Sequence, residues 1–120
     1  MSKNLAAIAK QKKIKYFLIS FVDLFGVLRA KLVPARAIAG MQRDGAGFAG
    51  FAAWLDMTPA DPDMFGIPDP DSLTILPWKP EVAWVPADCV MENKPVAQAP
   101  RVVLKTLIDQ AAGQGLRAKT

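Results

Sequence analysis

The carboxylates between residues 56 and 71 are the side chains of this sequence best suited to binding a cation. Five aspartates lie there among prolines, namely Asp56, Asp61, Asp63, Asp69 and Asp71. Carboxylate oxygens are ligands that Ca²⁺ and Mg²⁺ prefer, but this proline-broken spacing does not match an EF-hand loop. The pattern therefore favours a solvated acidic loop over a cation site.

Other groups with catalytic chemistry are scarce. The chain has no histidine, and Cys89 is its only cysteine, which excludes a His-dependent triad, a cysteine-pair zinc site and an internal disulfide. The run Gly45-Ala46-Gly47 lacks the lysine of a phosphate-binding loop. We expect Cys89 to be a small core residue. No complete catalytic centre, metal site or cofactor site is predicted in the chain by itself.

The most distinctive segment is residues 45–57, which reads Gly-Ala-Gly-Phe-Ala-Gly-Phe-Ala-Ala-Trp-Leu-Asp-Met. It resembles the N-terminal active-site loop of the glutamine synthetase superfamily, which reads Phe-Asp-Gly-Ser-Ser, a spacer, then an acidic residue and Met. Phe48, Gly50 and Asp56-Met57 fit this pattern. Ala49 stands where the family has its Asp.

Further segments match the same family in the same order along the chain. They are a D-x-x-G turn and basic strand at 21–34, the P-D-x-x-S segment within 67–73, P-W within 76–78, the hairpin at 87–90 and 94–96, and P-R-x-x-L-K within 99–105. The resemblance runs from about residue 14 to 120. The wording of the loop is similar to that of bacterial type III glutamine synthetases and γ-glutamylmethylamide synthetases.

The apolar pattern predicts a helical segment at 1–13. The resemblance implies a β-grasp N-terminal domain at 14–98 and the truncated start of a catalytic domain at 99–120. It also implies that the loop reaches into the active site of a neighbouring subunit in a homo-oligomer, a dodecamer in the family. ATP, glutamate and the Mg²⁺ or Mn²⁺ ions bind downstream in family members. The 120-residue chain alone is therefore expected to be an inactive part of an ATP-dependent carbon–nitrogen ligase of nitrogen metabolism.

The alanine at position 49 changes the expected chemistry of the loop. In the family the loop Asp helps to bind ammonium and takes its proton, a role that a methyl side chain cannot fill. Phe51 and Ala52 also replace the family's serine pair. The resulting apolar wall would tolerate an alkyl group, since each buried CH₂ gains about 0.8 kcal/mol. This favours a small alkylamine such as methylamine over ammonium capture, and both ammonia and methylamine stay open as the acceptor.

By this resemblance, five residues are assigned to the amine pocket, and the role of Trp54 among them is to support the loop by packing. Arg29 and Lys31 are assigned to a subunit interface or to the sheet surface. Trp78 and Trp84 are expected to be core or interface anchors. The pocket residues are Phe48, Ala49, Gly50, Phe51 and Trp54.

The elements that must position these residues follow from residue patterns, which predict an α+β fold with a four- to five-stranded sheet and a crossing helix. This architecture is compatible with the β-grasp-like sheet that the resemblance implies. Prolines allow only a short edge strand within 58–80, at 73–76, and Pro86 demotes part of the strand at 82–91 to an edge or a bulge. Pro100 and Gly115 suit the two ends of an amphipathic helix that must pack on something. The other predicted elements are helices at 2–13 and 35–43 and strands at 16–22, 27–33 and 95–97.

Composition narrows the class of protein. An apolar fraction of 52% in 120 residues can build one domain core. Residues 1–43 hold nine basic residues against Asp23, and 44–92 hold nine acids against Lys79, so the net charge of +4 hides a segregation. No nucleic-acid motif accompanies the lysines, and no apolar run is long enough for a membrane span or a signal peptide. We expect a cytoplasmic protein that binds neither nucleic acid nor membrane.

Two other functions remain open at this stage. The chain could be a stand-alone β-grasp module that binds and regulates a partner without catalysis. It could also be a truncated product that exposes the apolar face of the helix at 103–111 and self-associates. A metal-binding G-x-E-x-E strand following residue 120 would favour the ligase.

Overall fold

Over residues 3–119, the computed structural model shows a mixed seven-stranded sheet and three α-helices. Short 3-10 turns at Ala35–Ala37 and Pro70–Ser72 precede α2 and β5. Residues 1, 2 and 120 lie outside the described part, so the predicted helix start at residue 2 does too. The elements are α1 (Leu5–Lys12), β1 (Tyr16–Val22), β2 (Leu28–Pro34), α2 (Ile38–Asp44), β3 (Ala46–Phe48), β4 (Met64–Pro68), β5 (Thr74–Ile75), β6 (Val82–Met91), β7 (Lys94–Pro95) and α3 (Pro100–Gly113).

The sheet is built around β6, its longest strand. The order is β2-β1-β6-β4-β3, and β5 and β7 each pair with another stretch of β6. β1 runs parallel to β6, and the other paired neighbours are antiparallel. This arrangement confirms the expected α+β, β-grasp-like class, with two strands, β3 and β4, beyond those predicted.

The core lies on one face of β1 and β6, where alternate side chains point inwards. At one end of the strands, Phe17 and Val85 are buried with Leu5 of α1 and Ile38 of α2. At the other end, the core continues through Phe21 and Cys89 and is covered by a loop rather than by a helix. The two helices thus cover only part of the sheet, and the loop segment that follows β3 completes the core.

The sheet curls until its two ends approach each other. β2 and β3 are the outer strands of the path, yet the Lys31 ammonium of β2 donates to the Gly47 carbonyl of β3. The same ammonium lies 5.0 Å from the centroid of the Phe48 ring, where the ring face attracts a cation. Lys31 therefore links the two outer strands of a sheet that is nearly barrel-like in shape.

Pro86 lies inside the central strand rather than at the edge of the sheet. On one side β6 pairs with β1 as far as Pro86. On the other side, pairing with β5 ends at Trp84 and pairing with β4 begins at Ala87. The Pro86 carbonyl accepts from the Asp69 N–H at 2.8 Å in this gap, and no ladder donor is lost there. The prediction that Pro86 places part of this strand at an edge therefore holds only for Val85 and Pro86, and only on the side of β6 that pairs with β4 and β5.

The sequence reading of residues 46–68 was wrong about two strands. β4 was excluded by the prolines around it, but Pro68 ends the strand and the residues before it can pair on both sides, with β3 and β6. β3 was expected to be loop. A three-residue strand has too little periodicity to be seen without its partner. Gly66 permits the close packing here, since a Cβ at that position would lie 3.1 Å from the Ala87 Cβ.

Helix α3 lies against the sheet with few apolar contacts. None of its residues is buried, although Val102 packs against the second half of the core. Ion pairs hold it instead: Arg101 contacts both Asp69 and Asp88, and Lys105 contacts Asp88. Four apolar side chains of the helix are exposed: Val103, Leu104, Leu107 and Ile108. The expected amphipathic helix is present, but its apolar stripe faces away from this domain.

No helix among residues 3–119 has the length and apolar character needed to cross a membrane.

Candidate functional site

The five predicted pocket residues lie at the end of β3 and in the segment after it, residues 49–57, which we call the outward loop. Its backbone forms one tight turn, in which the Ala53 N–H donates to the carbonyls of Ala49 and Gly50 at 3.2 Å. Ala53 and Leu55 are buried in the second half of the core. The loop is therefore anchored in the core by Ala53 and Leu55, while Ala49, Phe51 and Trp54 are exposed.

The two ends of the predicted pocket set differ in exposure. Phe48 is half-buried and meets Phe21 edge-to-face, with ring centroids 4.8 Å apart. Ala49 is exposed, and the side chains of Phe51 and Trp54 are 48% and 57% exposed. The structure therefore joins a half-buried aromatic residue, Phe48, to an exposed apolar rim formed by Ala49, Phe51 and Trp54.

Gly50 is buried in the outward loop, next to the Met57 side chain. A Cβ built at this position would lie 2.1 Å from the Met57 sulfur, much closer than real atoms approach. Any side chain here would displace Met57, which closes the far end of the loop. Glycine at this position therefore leaves room for the Met57 side chain as it is placed here.

Two residues of the outward loop, Trp54 and Asp56, have an unusual backbone conformation. Trp54 has φ of 52° and Asp56 has φ of 56°, in the left-handed region that bulky residues rarely adopt. The neighbouring Leu55 carbonyl accepts from the Gln98 side-chain amide at 2.8 Å. Such a conformation persists only when surrounding contacts maintain it, and it is the kind of strain found at binding sites.

A contact that sequence reasoning missed joins the outward loop to the tip of the β1–β2 hairpin, residues 23–27. The Phe25 and Trp54 rings meet edge-to-face with centroids 5.6 Å apart. The Leu24 N–H donates to the Trp54 carbonyl at 3.3 Å. The D-x-x-G pattern predicted the turn itself, but no periodicity links residue 25 to residue 54.

Asp23 is the organising residue of the hairpin tip. Its buried carboxylate accepts from the N–H groups of Phe25 at 2.8 Å and Val27 at 2.9 Å, and from Arg29 Nε at 2.9 Å. Burial raises the pKa of the Asp23 carboxyl, but the hydrogen bonds from Val27, Arg29 and Phe25 outweigh it and lower that pKa below its ordinary value. Arg29 therefore serves the hairpin tip, which is more specific than the surface role expected for it.

The five aspartates of the acidic segment do not converge. Asp61 accepts from the Thr58 N–H at 2.6 Å, whereas Asp69 accepts from the Ser72 hydroxyl at 3.0 Å and pairs with Arg101. Burial raises the pKa of Asp69, and its hydrogen bonds and the nearby Arg101 charge lower it to a net value below the ordinary one. Among residues 3–119, no group of three or more His, Cys, Asp or Glu side chains is placed to hold a metal ion.

The remaining predicted residues lie away from the outward loop. Trp84 is half-buried and its indole N–H donates to the Ser20 hydroxyl at 2.6 Å. Trp78 is 79% exposed, so it is not a core residue, and the alternative role expected for it, as an interface anchor, stays a prediction. Cys89 is buried as expected, and burial raises the pKa of its thiol to about 12. A thiol in this state does not supply a nucleophile at neutral pH.

Comparison with known proteins identifies the class of this fold. No protein-family model matches the chain. A glutamine synthetase of Rhizobium leguminosarum bv. phaseoli is 67% identical over 120 residues, 100% of this chain and 28% of the relative. A glutamate–methylamine ligase of Methyloversatilis universalis is 40% identical over 108 residues, 88% of this chain and 24% of the relative. A solved structure described as a GmaS/ADP complex has a TM-score of 0.91 and 63% identity, covering 92% of this chain and 26% of that one.

In sequence and in fold, the chain is an N-terminal domain of the glutamine synthetase superfamily. Within that superfamily it is similar both to glutamine synthetases of rhizobia and to glutamate–methylamine ligase. It spans 28% or less of the length of these relatives.

Proposed function

We propose that this domain serves an ATP-dependent ligase that joins an amine to glutamate, and that the outward loop lines the amine side of a neighbouring subunit's active site. The observation that carries the proposal is the construction of the loop: Ala53 and Leu55 anchor it in the core, while Ala49, Phe51 and Trp54 project outwards. An anchored rim of exposed apolar side chains suits a site completed by another chain.

The preferred acceptor in this proposal is methylamine, with ammonia as the second candidate. Ala49 offers no carboxylate to bind ammonium or take its proton, and Phe51 gives the rim an apolar surface. One relative is named a glutamate–methylamine ligase and two others are named glutamine synthetases, so both amines are represented among similar proteins.

The remainder of the ligase, in this proposal, supplies what the domain does not hold. Helix α3 begins the catalytic domain, whose residues bind ATP, glutamate and Mg²⁺ or Mn²⁺. The exposed apolar stripe of α3 supports this division, because it fits a partner element that is not in residues 3–119. The complete protein is a cytoplasmic homo-oligomer, a dodecamer by analogy with the superfamily.

The test uses the full-length gene product with glutamate, ATP and either methylamine or ammonia. Phosphate release that depends on both glutamate and an amine is expected, with a higher kcat/KM for methylamine. Residues 1–120 expressed alone are the matched control and should release no phosphate. Absence of turnover with every amine would contradict the ligase and favour a binding module.

A further inference from the structure

We propose that the tip of the β1–β2 hairpin positions the outward loop, and that Phe25 is the residue through which it acts. This inference rests on the proposed function of the loop. Phe25 is 74% exposed, so its own hairpin buries little of the ring. The aromatic partner of that ring is Trp54, in an edge-to-face contact with an interplanar angle of 84°.

Trp54 needs such a contact because its own backbone is unfavourable. A tryptophan with φ of 52° does not hold this conformation by local preference. The Phe25 ring and the hydrogen bond from the Leu24 N–H to the Trp54 carbonyl fix both the side chain and the peptide. Together they orient the exposed rim between Ala49 and Trp54.

The hairpin tip can act as a support because it is itself rigid. The Asp23 carboxylate accepts three hydrogen bonds, and its backbone N–H and carbonyl close the turn with Val27 and Gly26 at 3.0 and 3.1 Å. Gly26 takes the φ of 80° that the turn requires. The tip thus has an internal framework that does not depend on Trp54, and it can impose a position on the loop.

The test compares Phe25→Ala, Phe25→Leu and Phe25→Tyr with wild type in the full-length protein, with Val27→Ala as a control on the same tip. Phe25→Ala and Phe25→Leu remove the ring and should raise KM for the amine about two- to tenfold, the range expected for an aromatic pair. KM for ATP should stay unchanged. Phe25→Tyr keeps the ring and should restore the wild-type value, and Phe25→Leu guards against a folding defect caused by truncation.

A second measurement follows the outward loop directly. Hydrogen exchange of the peptide covering residues 49–57 should be faster in Phe25→Ala and Phe25→Leu than in wild type, Phe25→Tyr and Val27→Ala. Unchanged exchange together with unchanged amine KM would overturn the inference while leaving the ligase in place. If wild type turns over no amine, the ligase fails, and the exchange comparison alone then supports or overturns the positioning role.

Discussion

The side chain of Ala49 ends at Cβ and stands exposed beside the fixed ring of Phe48. A carboxylate at this position could stabilise an ammonium ion and accept its proton, whereas a methyl group can only exclude water. We therefore expect the amine preference of the proposed ligase to depend on this residue.

Changing Ala49→Asp in the full-length protein should shift preference from methylamine towards ammonia. Loss of one favourable CH₂ contact alone lowers the kcat/KM ratio of methylamine to ammonia about fourfold, and the new charge adds to this. Steady-state phosphate release with each amine measures the ratio. Ala60→Asp, at an exposed alanine outside the outward loop, is the control. An unchanged ratio in Ala49→Asp would remove this residue from the amine site.

A second residue-scale prediction concerns the buried Asp23. Its folded-state pKa is lowered, so its ionised form stabilises the fold above the unfolded pKa of about 3.9, and this stability is lost as pH falls through the folded pKa. Asp23→Asn should therefore lower the melting temperature at pH 7, and its difference from wild type should narrow below about pH 4. Asp109→Asn, on an exposed part of α3, should show neither effect. A pH-independent difference would contradict the assigned cause.

At the scale of elements, α3 depends on charge where α1 and α2 depend on apolar burial. Arg101 joins the helix to Asp69, just after β4, and to Asp88 of β6, with Nε 2.9 Å from the Asp88 carboxylate. Charged hydrogen bonds at partly exposed positions are worth more than a surface ion pair and less than a buried one. The helix is therefore the most separable element of the domain.

Arg101→Ala should detach the first turn of α3 and destabilise the domain by about 1–2 kcal/mol. Amide exchange in residues 100–106 should rise more than exchange in β6, because the sheet keeps its own pairing. Arg36→Ala, at an exposed arginine of the first 3-10 turn, should leave both quantities near wild type. Equal acceleration in α3 and β6 would mean that Arg101 supports the whole domain.

At the scale of the whole molecule, the strands of the curled sheet hydrogen-bond to one another. The apolar stripe of α3 and the rim of the outward loop stay exposed to solvent within residues 3–119. Exposed apolar side chains arranged on one helix face bury themselves against any available surface in water. The isolated chain should therefore self-associate, whereas the proposed full-length ligase would cover the same stripe.

Replacing Leu104 and Leu107 together with serine should shift residues 1–120 from oligomer towards monomer. Sedimentation at several concentrations measures the change, and added salt should not abolish wild-type association because the contact is apolar. A double change of Gln110 and Gln114 to serine is the matched control. A monomeric wild-type chain at all concentrations would show that the stripe does not drive association.

The sequence by itself predicted the elements whose residues carry a long pattern. β1 and β6 have the bounds expected from their apolar and β-branched runs, and α3 has the expected helical stripe. The ordered motifs likewise predicted the superfamily and placed the candidate loop at residues 48–54.

Tertiary structure alone decided the short strands and the orientation of the outward loop, because these features depend on contacts between residues distant in sequence. β3 is too short to show a period, and prolines flank β4. β4 forms because β6 offers it an edge, and β3 forms because β4 does. Residue types could not show that Ala53 and Leu55 enter the core, or that Phe25 meets Trp54 across the domain. A pattern records local backbone preference, whereas the orientation of an exposed loop is determined by contacts that chain folding brings together.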